Sequence, residues 1–212
     1  MNYAQLTTAI QDYTENYETV FNSQIPTFIQ LAEERIYNAV QFPAIRKAVQ
    51  GNFTANDKYL ALPNDYLAAF ELSVIDPVTG EQQFLLNKDV NFIRQAYPSP
   101  TSTGTPKYYA QFKPYVYIIG PTPDQSYNVE LHYYYYPLSI VTAGTSWLGD
   151  NFESVLLYGA LREAYLFMKG EQDMITYVEN KYQESLALLK LLGEGKDRRD
   201  TYRSGQARIP VN

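Results

Sequence analysis

The sequence predicts an α+β fold, with a helical bundle from both chain ends, an inserted antiparallel β-sheet domain and an extended C-terminal tail. Three observations predict it. Apolar residues recur at helical spacing near both ends, over 1–49 and 150–195. Between them, over 50–149, the period shortens to that of strands broken by turns. The last stretch, 196–212, carries too few apolar residues for a core.

Tyr3, Leu6, Ile10 and Tyr13 predict a first helix over Tyr3 to about Thr14. A second is expected from about Ile25, with Pro26 in its first turn, where a missing N–H goes unused. Ile25, Phe28, Ile29, Ala32, Ile36, Ala39 and Val40 form its apolar stripe, with Glu33, Glu34 and Arg35 mostly off it. Pro43 limits its length.

About six strands follow. Phe53-Thr54 and Lys58 to Leu62 flank a turn at Asn56-Asp57, Phe70 to Ile75 is a strong strand, and Gln82 to Leu86 returns after Pro77 to Gly80. Asn87 can cap a short helix through Gln95, with Val90 and Ile93 inward. The Pro-, Ser- and Thr-rich run from Pro98 to Pro106 is a loop. Lys107 to Phe112 and Tyr115 to Ile119 read as a hairpin, and Tyr127 to Tyr136 as the longest strand.

A helix after Gly149, capped by Asp150 or Asn151, buries Phe152, Leu156, Leu157, Ala160, Leu161, Ala164, Tyr165 and Met168, and stops at Gly170. The last runs from about Gln172 to Leu192 on Ile175, Val178, Tyr182, Leu186, Leu189 and Leu192, with Gly193 and Gly195 ending it. Helices this short need partners, and the simplest partners are each other.

Composition narrows function. The net charge of −6 and pI near 4.9 disfavour a general nucleic-acid clamp. The absence of cysteine removes disulfides, thiolate nucleophiles and thiolate metal sites. Neither a signal peptide nor a membrane span is visible, so folding in a cytoplasm is expected. The only histidine, His132, lies two residues from Glu130 on a predicted strand, too little for a metal site or a Ser-His-Asp set. No phosphate loop or dinucleotide fingerprint occurs. The acids Glu33, Glu34, Glu130 and Glu153 read as solvated faces or ion pairs. No catalytic residue, cofactor or metal is assigned. Trp147 reads as a hydrophobic staple beside a helix cap.

The 21 tyrosines stand out. Tyrosine gives large contact area with few rotatable bonds, which suits surfaces buried late against a partner, and it also has high β propensity. Tyr115, Tyr117, Tyr134 and Tyr136 are the candidate interface with another subunit or partner. Stacking of glycan or single-stranded nucleic acid on the Tyr-rich sheet is the alternative, but no basic residue is interleaved between Tyr115 and Tyr136. The tail from Lys196 carries +3, against −9 for the rest. Its Lys196, Arg198, Arg199, Tyr202, Arg203 and Arg208, with the apolar end Ile209-Pro210-Val211, are the candidate binding arm.

Three segments carry a resemblance: Ile25-Pro26 through Leu31-Ala32-Glu33-Glu34-Arg35-Ile36, Leu62-Pro63-Asn64-Asp65-Tyr66-Leu67, and Trp147 to Asp150 followed by Phe152-Glu153 and Leu156 to Ala164. In order and spacing they resemble the head-to-tail adaptors of tailed bacteriophages, the family of tail tubular protein A. The resemblance implies a structural virion protein at the neck, assembled as a ring of twelve. The ring would dock under the portal protein, receive the nozzle or another tail protein below, and enclose the channel through which double-stranded genomic DNA leaves. The arm would reach up along the portal.

Overall fold

In this computed structural model, residues 1–76, 79–99 and 101–197 are described. The chain opens with α1 (Tyr3–Thr14), α2 (Thr19–Ala39) and a 3-10 turn at Pro43–Ile45. Strands β1 (Arg46–Phe53), β2 (Tyr59–Ala61), β3 (Tyr66–Ile75), β4 (Gln82–Phe84) and β5 (Leu86–Asn87) precede α3 (Val90–Ala96). Strands β6 (Tyr108–Lys113), β7 (Val116–Gly120) and β8 (Tyr127–Tyr135) come next. Helices α4 (Ile140–Ala143), α5 (Trp147–Asn151), α6 (Glu153–Phe167) and α7 (Gln172–Asp197) complete the order. The contacts divide it into two compact units, one of Met1–Ala44 with the chain from Pro137 onward, the other of Ile45–Tyr136.

In the helical unit, α1 starts where expected because Asn2 and Gln5 cap each other: each side chain accepts the other's backbone N–H at 2.9 Å. α2 begins at Thr19, upstream of the expected Ile25, and Pro26 lies inside it. Phe21 is buried one turn before Ile25, so the apolar stripe starts earlier and outweighs the ladder bond that proline forfeits. Glu33 also departs from expectation. It lies four residues after Ile29, on the stripe, and is 3% exposed. The central helix α6 packs against α1, α2 and α7. At the crossing, a Cβ on Gly159 would stand 3.0 Å from the Ala32 methyl and 3.3 Å from the Tyr182 ring. A side chain there would have to push both neighbours aside, which glycine avoids.

Around α6, Phe21, Phe28 and Phe167 form a ring cluster with centroids 5.3–6.4 Å apart. Trp147, at the start of α5 behind the Ser146 cap, stacks on Phe42 at 4.8 Å and Phe152 at 6.2 Å. The helix expected after Gly149 is thus two helices meeting at Phe152. Lys169, not Gly170, takes the left-handed backbone after α6, with φ 53°. α7 continues through Gly193 and Gly195 to Asp197, since glycine lowers helix propensity without forbidding it.

Among the described residues the β unit holds eight strands in two sheets, not one sheet of about six. The first, in the order β1-β8-β3-β4, is antiparallel. The second, β2-β7-β6-β5, is mixed, because β5 pairs parallel to β6. The stretch expected to return as one strand from Gln82 changes sheets at Leu85, whose N–H bonds Leu72 while that of Leu86 bonds Lys107. Between the sheets pack Phe53, Leu72, Val74, Val129, Leu131 and Tyr133 of the first, against Leu62, Leu85, Tyr109, Tyr117 and Ile119. On the far face of the second sheet lies α3, through Ile93 against Ala110 and Ile118. Gly120 makes room, since a Cβ there would stand 2.9 Å from Ile93 and Tyr97. The helix cap is Asp89 rather than Asn87. β3, not β8, is the longest strand at 10 residues. β1 begins at Arg46, before the expected strand region, and α4 and α5 stand where that region was expected to continue to 149.

Candidate assembly surface

The tyrosine-rich strands divide by pleat. Along β8, Tyr127, Val129, Leu131 and Tyr133 point into the sandwich, while Asn128, Glu130 and His132 are more exposed. Of the four tyrosines proposed for an interface, Tyr115 stands at the β6–β7 turn, 47% exposed, with φ 60°. Tyr136 is half-buried and its N–H bonds the Asp65 carbonyl at 2.8 Å. Tyr134 is buried: its ring packs edge-on against Phe70 at 6.1 Å, and its hydroxyl accepts the Arg46 guanidinium at 2.9 Å. Tyr117 is 1% exposed and belongs to the interior. A buried ring on a strand and an exposed one share the same composition, so only the register separates them.

Tyr117 sits in a chain of polar groups threaded through the β core. Its hydroxyl lies 2.7 Å from that of Tyr66, whose ring stacks on Tyr133 at 6.0 Å. Tyr133 donates to one carboxylate oxygen of Asp65 at 2.9 Å, and Lys47 donates to the other at 2.6 Å. Burial pushes the Tyr117 and Tyr133 hydroxyls up, Tyr133 to about 12, and the bond to Asp65 adds to it. Burial would also raise Asp65, but the bonds from Lys47 and Tyr133 outweigh it and hold the carboxyl below its ordinary value. Leu62-Pro63-Asn64-Asp65-Tyr66-Leu67 is therefore the corner between β2 and β3. Leu62 fills the core, the Pro63 carbonyl turns the chain by accepting the Tyr66 N–H, and Asp65 anchors β1 and β8.

The acids considered for chemistry are dispersed. In the helical unit, Glu33 accepts the Ile140 N–H at 2.9 Å and holds the start of α4; burial pushes its carboxyl up. Glu153 faces the N-terminal ammonium at 3.6 Å. In the β unit, Glu130 accepts from Gln82 at 2.7 Å and lies 3.7 Å from His132. Among the described residues no group of three or more His, Cys, Asp or Glu could hold a metal, and no helix is long and apolar enough to cross a membrane. A polar groove of about 450 Å³ along Asp76, Glu81, Gln82, Gln83, Gln125 and Tyr127 gathers no nucleophile–base pair.

Large side chains left at the surface are spread over both units, Leu138, Leu188 and Leu191 among them. The α1–α2 corner exposes Tyr13, Tyr17 and Val20, the last two at 63% and 68%. The outer side of the second sheet exposes Tyr59 and Phe92 beside Phe112. Tyr13 was expected on the apolar stripe of α1 and is instead 54% exposed, while Tyr17, Val20, Tyr59 and Phe92 stand outside the apolar stripes and tyrosine runs that the sequence marked. Of the arm, Lys196 falls in the last turn of α7, while Arg198, Arg199, Tyr202, Arg203, Arg208, Ile209, Pro210 and Val211 lie outside the described residues.

No curated protein matches this sequence. A family profile does, described as SU10 adaptor protein, and it spans residues 1–210, both compact units and nearly all of the basic tail. A match of that reach takes in the helix of the first resemblance, the β2–β3 corner and the α5–α6 junction together, and the chain belongs to the SU10 adaptor protein family of structural phage proteins.

Proposed function

We propose that this adaptor forms a ring beneath the portal of a tailed phage, joins it to the tail proteins below and surrounds the exit path of the DNA. The family match over residues 1–210 carries this reading. Two structural features support it. The interior polar groups of the β unit are largely spent on one another, and each unit leaves large side chains exposed for a partner to cover, among them Tyr17 and Val20 on the helical unit and Tyr59 and Phe92 on the β unit. On this reading the helices from the two chain ends act as one bundle carrying the β domain. The segment from Arg198 onward is the portal-binding arm, and ring closure joins two different faces of successive copies. The twelve-fold count and a likeness to tail tubular protein A belong to the same proposal.

The reading expects a monomer or weak oligomer in isolation and a ring on the portal. The test is co-sedimentation with purified portal rings, using the full chain and a chain ended after Asp197. The full chain should pellet with the portal and the shortened one should not, while both keep the same circular dichroism. Equal pelleting removes the arm from the mechanism. No pelleting of the full chain contradicts portal docking.

A further inference from the structure

Two exposed faces of this chain are aromatic and opposite in charge. The first is on the β unit. Tyr59 of β2 and Phe112 of β6 pair at 5.5 Å between ring centroids. The Lys58 ammonium stands 5.5 Å from the Tyr59 ring, and Arg94 of α3 and Lys113 stand 5.1 and 5.5 Å from the Phe112 ring. Further along α3, Lys88 lies 5.5 Å from the Phe92 ring, which meets Tyr108 edge-on at 5.3 Å. Four cations from separate stretches of sequence thus share one face. Among its carboxylates are Asp57, which accepts the Tyr59 N–H, and Asp89 at the N-cap position of α3, whose side chain makes no capping bond, so the four cations outnumber these two acids.

The second face is on the helical unit, at the α1–α2 corner. Residues 12–20 hold Asp12, Glu15 and Glu18 and no basic side chain. Tyr13, Tyr17 and Val20 project among them, each more than half exposed. The corner is held by bonds to its own neighbours. Tyr17 donates to Asp12 at 2.8 Å, Asn16 reaches the Met168 sulfur at 3.4 Å, and Tyr165 donates to the Tyr13 carbonyl at 2.8 Å. Lys169 and Glu171, in the adjoining α6–α7 turn, offset each other in charge.

We propose that these are the two halves of one head-to-tail contact: the basic aromatic face of the β unit receives the acidic aromatic corner of a second copy of this chain. The inference rests on the ring reading above and assigns its faces. A ring closed by rotation needs two distinct, complementary patches per subunit, and opposite charge on two faces of one chain meets that need. The rings supply desolvated area and cation–π contact, while the charges fix the register and discourage like faces from meeting.

Charge reversal in both senses tests it. One variant carries Lys58→Glu, Arg94→Glu and Lys113→Glu; the other carries Asp12→Lys, Glu15→Lys and Glu18→Lys. All six positions are exposed, and the second variant gives up the Tyr17 bond to Asp12 but keeps the Asn16 and Tyr165 bonds of the corner, so thermal melts should stay within a few degrees of the wild type. Sedimentation velocity at low ionic strength, at on the order of 100 µM protein, is read for each chain alone and for a 1:1 mixture. The wild type should self-associate, and each variant alone should associate at least about tenfold more weakly. The mixture should recover, because the reversed β face of one variant complements the reversed corner of the other. Variants that associate like the wild type, a mixture that stays dissociated, or a wild type that stays monomeric would each overturn the pairing. So would retention of a duplex oligonucleotide by the basic face, lost in the first variant while self-association is unchanged; the occupant is then nucleic acid. Portal co-sedimentation of the wild type is scored separately, so the faces can fail while the adaptor reading stands.

Discussion

The β unit and the helical unit bury polar groups in opposite ways. In the β unit the hydroxyls and carboxylate of Tyr66, Tyr117, Tyr133 and Asp65 satisfy one another and end on Lys47. In the helical unit, Glu33 uses one carboxylate oxygen on the Ile140 N–H, while its Oε2 and the Tyr182 hydroxyl are buried with no hydrogen-bond partner among the described residues. An unpaired buried acceptor or hydroxyl costs free energy that a closed network does not. The β unit therefore closes its buried polar groups on one another, while the helical unit closes its charges nearer the surface, in the Arg35–Glu163 and Arg162–Glu179 pairs that tie α2, α6 and α7, around an apolar interior. Substitutions should separate the two. The single tryptophan, Trp147, reports on the helical unit, and amide exchange at Val129 and Leu131 reports on the β unit.

The largest effect is expected from Gly159→Leu. The side chain has no room between Ala32 and Tyr182, so the helical unit should lose about 3 kcal/mol by urea unfolding followed at Trp147. Next comes Tyr117→Phe, which removes one hydroxyl and leaves that of Tyr66 without its partner. A loss of about 1.5 kcal/mol is expected, seen as faster exchange at Val129 and Leu131.

Asp65→Asn should cost about 1 kcal/mol, a figure kept low because Lys47 is exposed. Its pH signature is more telling. The folded carboxyl titrates below its ordinary value, so its contribution is present above the unfolded pKa and is lost as pH falls through the folded one. Glu33 has the opposite sign. Its folded pKa is raised, so its unfavourable charge is fully felt above that pKa and is relieved as pH falls toward the unfolded value. Acidification from neutral pH should first favour the helical unit and then, at lower pH, weaken the β unit. The smallest change is Glu33→Gln, which should raise the melting temperature at pH 7 slightly and flatten the acid response at Trp147. A drop in melting temperature would mean that the ionised carboxylate is the better group at that position.

What could be read from sequence follows the same division. The stripes of α6 and α7 were legible because one face of each is buried at helical spacing, as was that of α1 at Leu6 and Ile10 though not at Tyr13, and the β6–β7 hairpin because Gly, Pro and Asp mark its flanks. The start of α2 was hidden by Pro26, which looks like a beginning and is tolerated inside once Phe21 is buried. Glu33 was hidden by its charge. β1 shows no alternation, since Lys47 through Asn52 are all exposed along an edge strand, so pairing with β8 rather than side-chain pattern defines it. The surface was the least legible part. Tyr117 and Tyr134 face partners within their own unit. The exposed basic and acidic faces are assembled from residues such as Lys58, Arg94 and Lys113, which only the fold brings together.

Electron microscopy of portal rings incubated with the full chain tests the central claim most directly. The account predicts a second ring of density, coaxial with the portal and wide enough to leave the DNA path open. Portal rings with bare lower faces, beside a chain that remains dispersed, would contradict it.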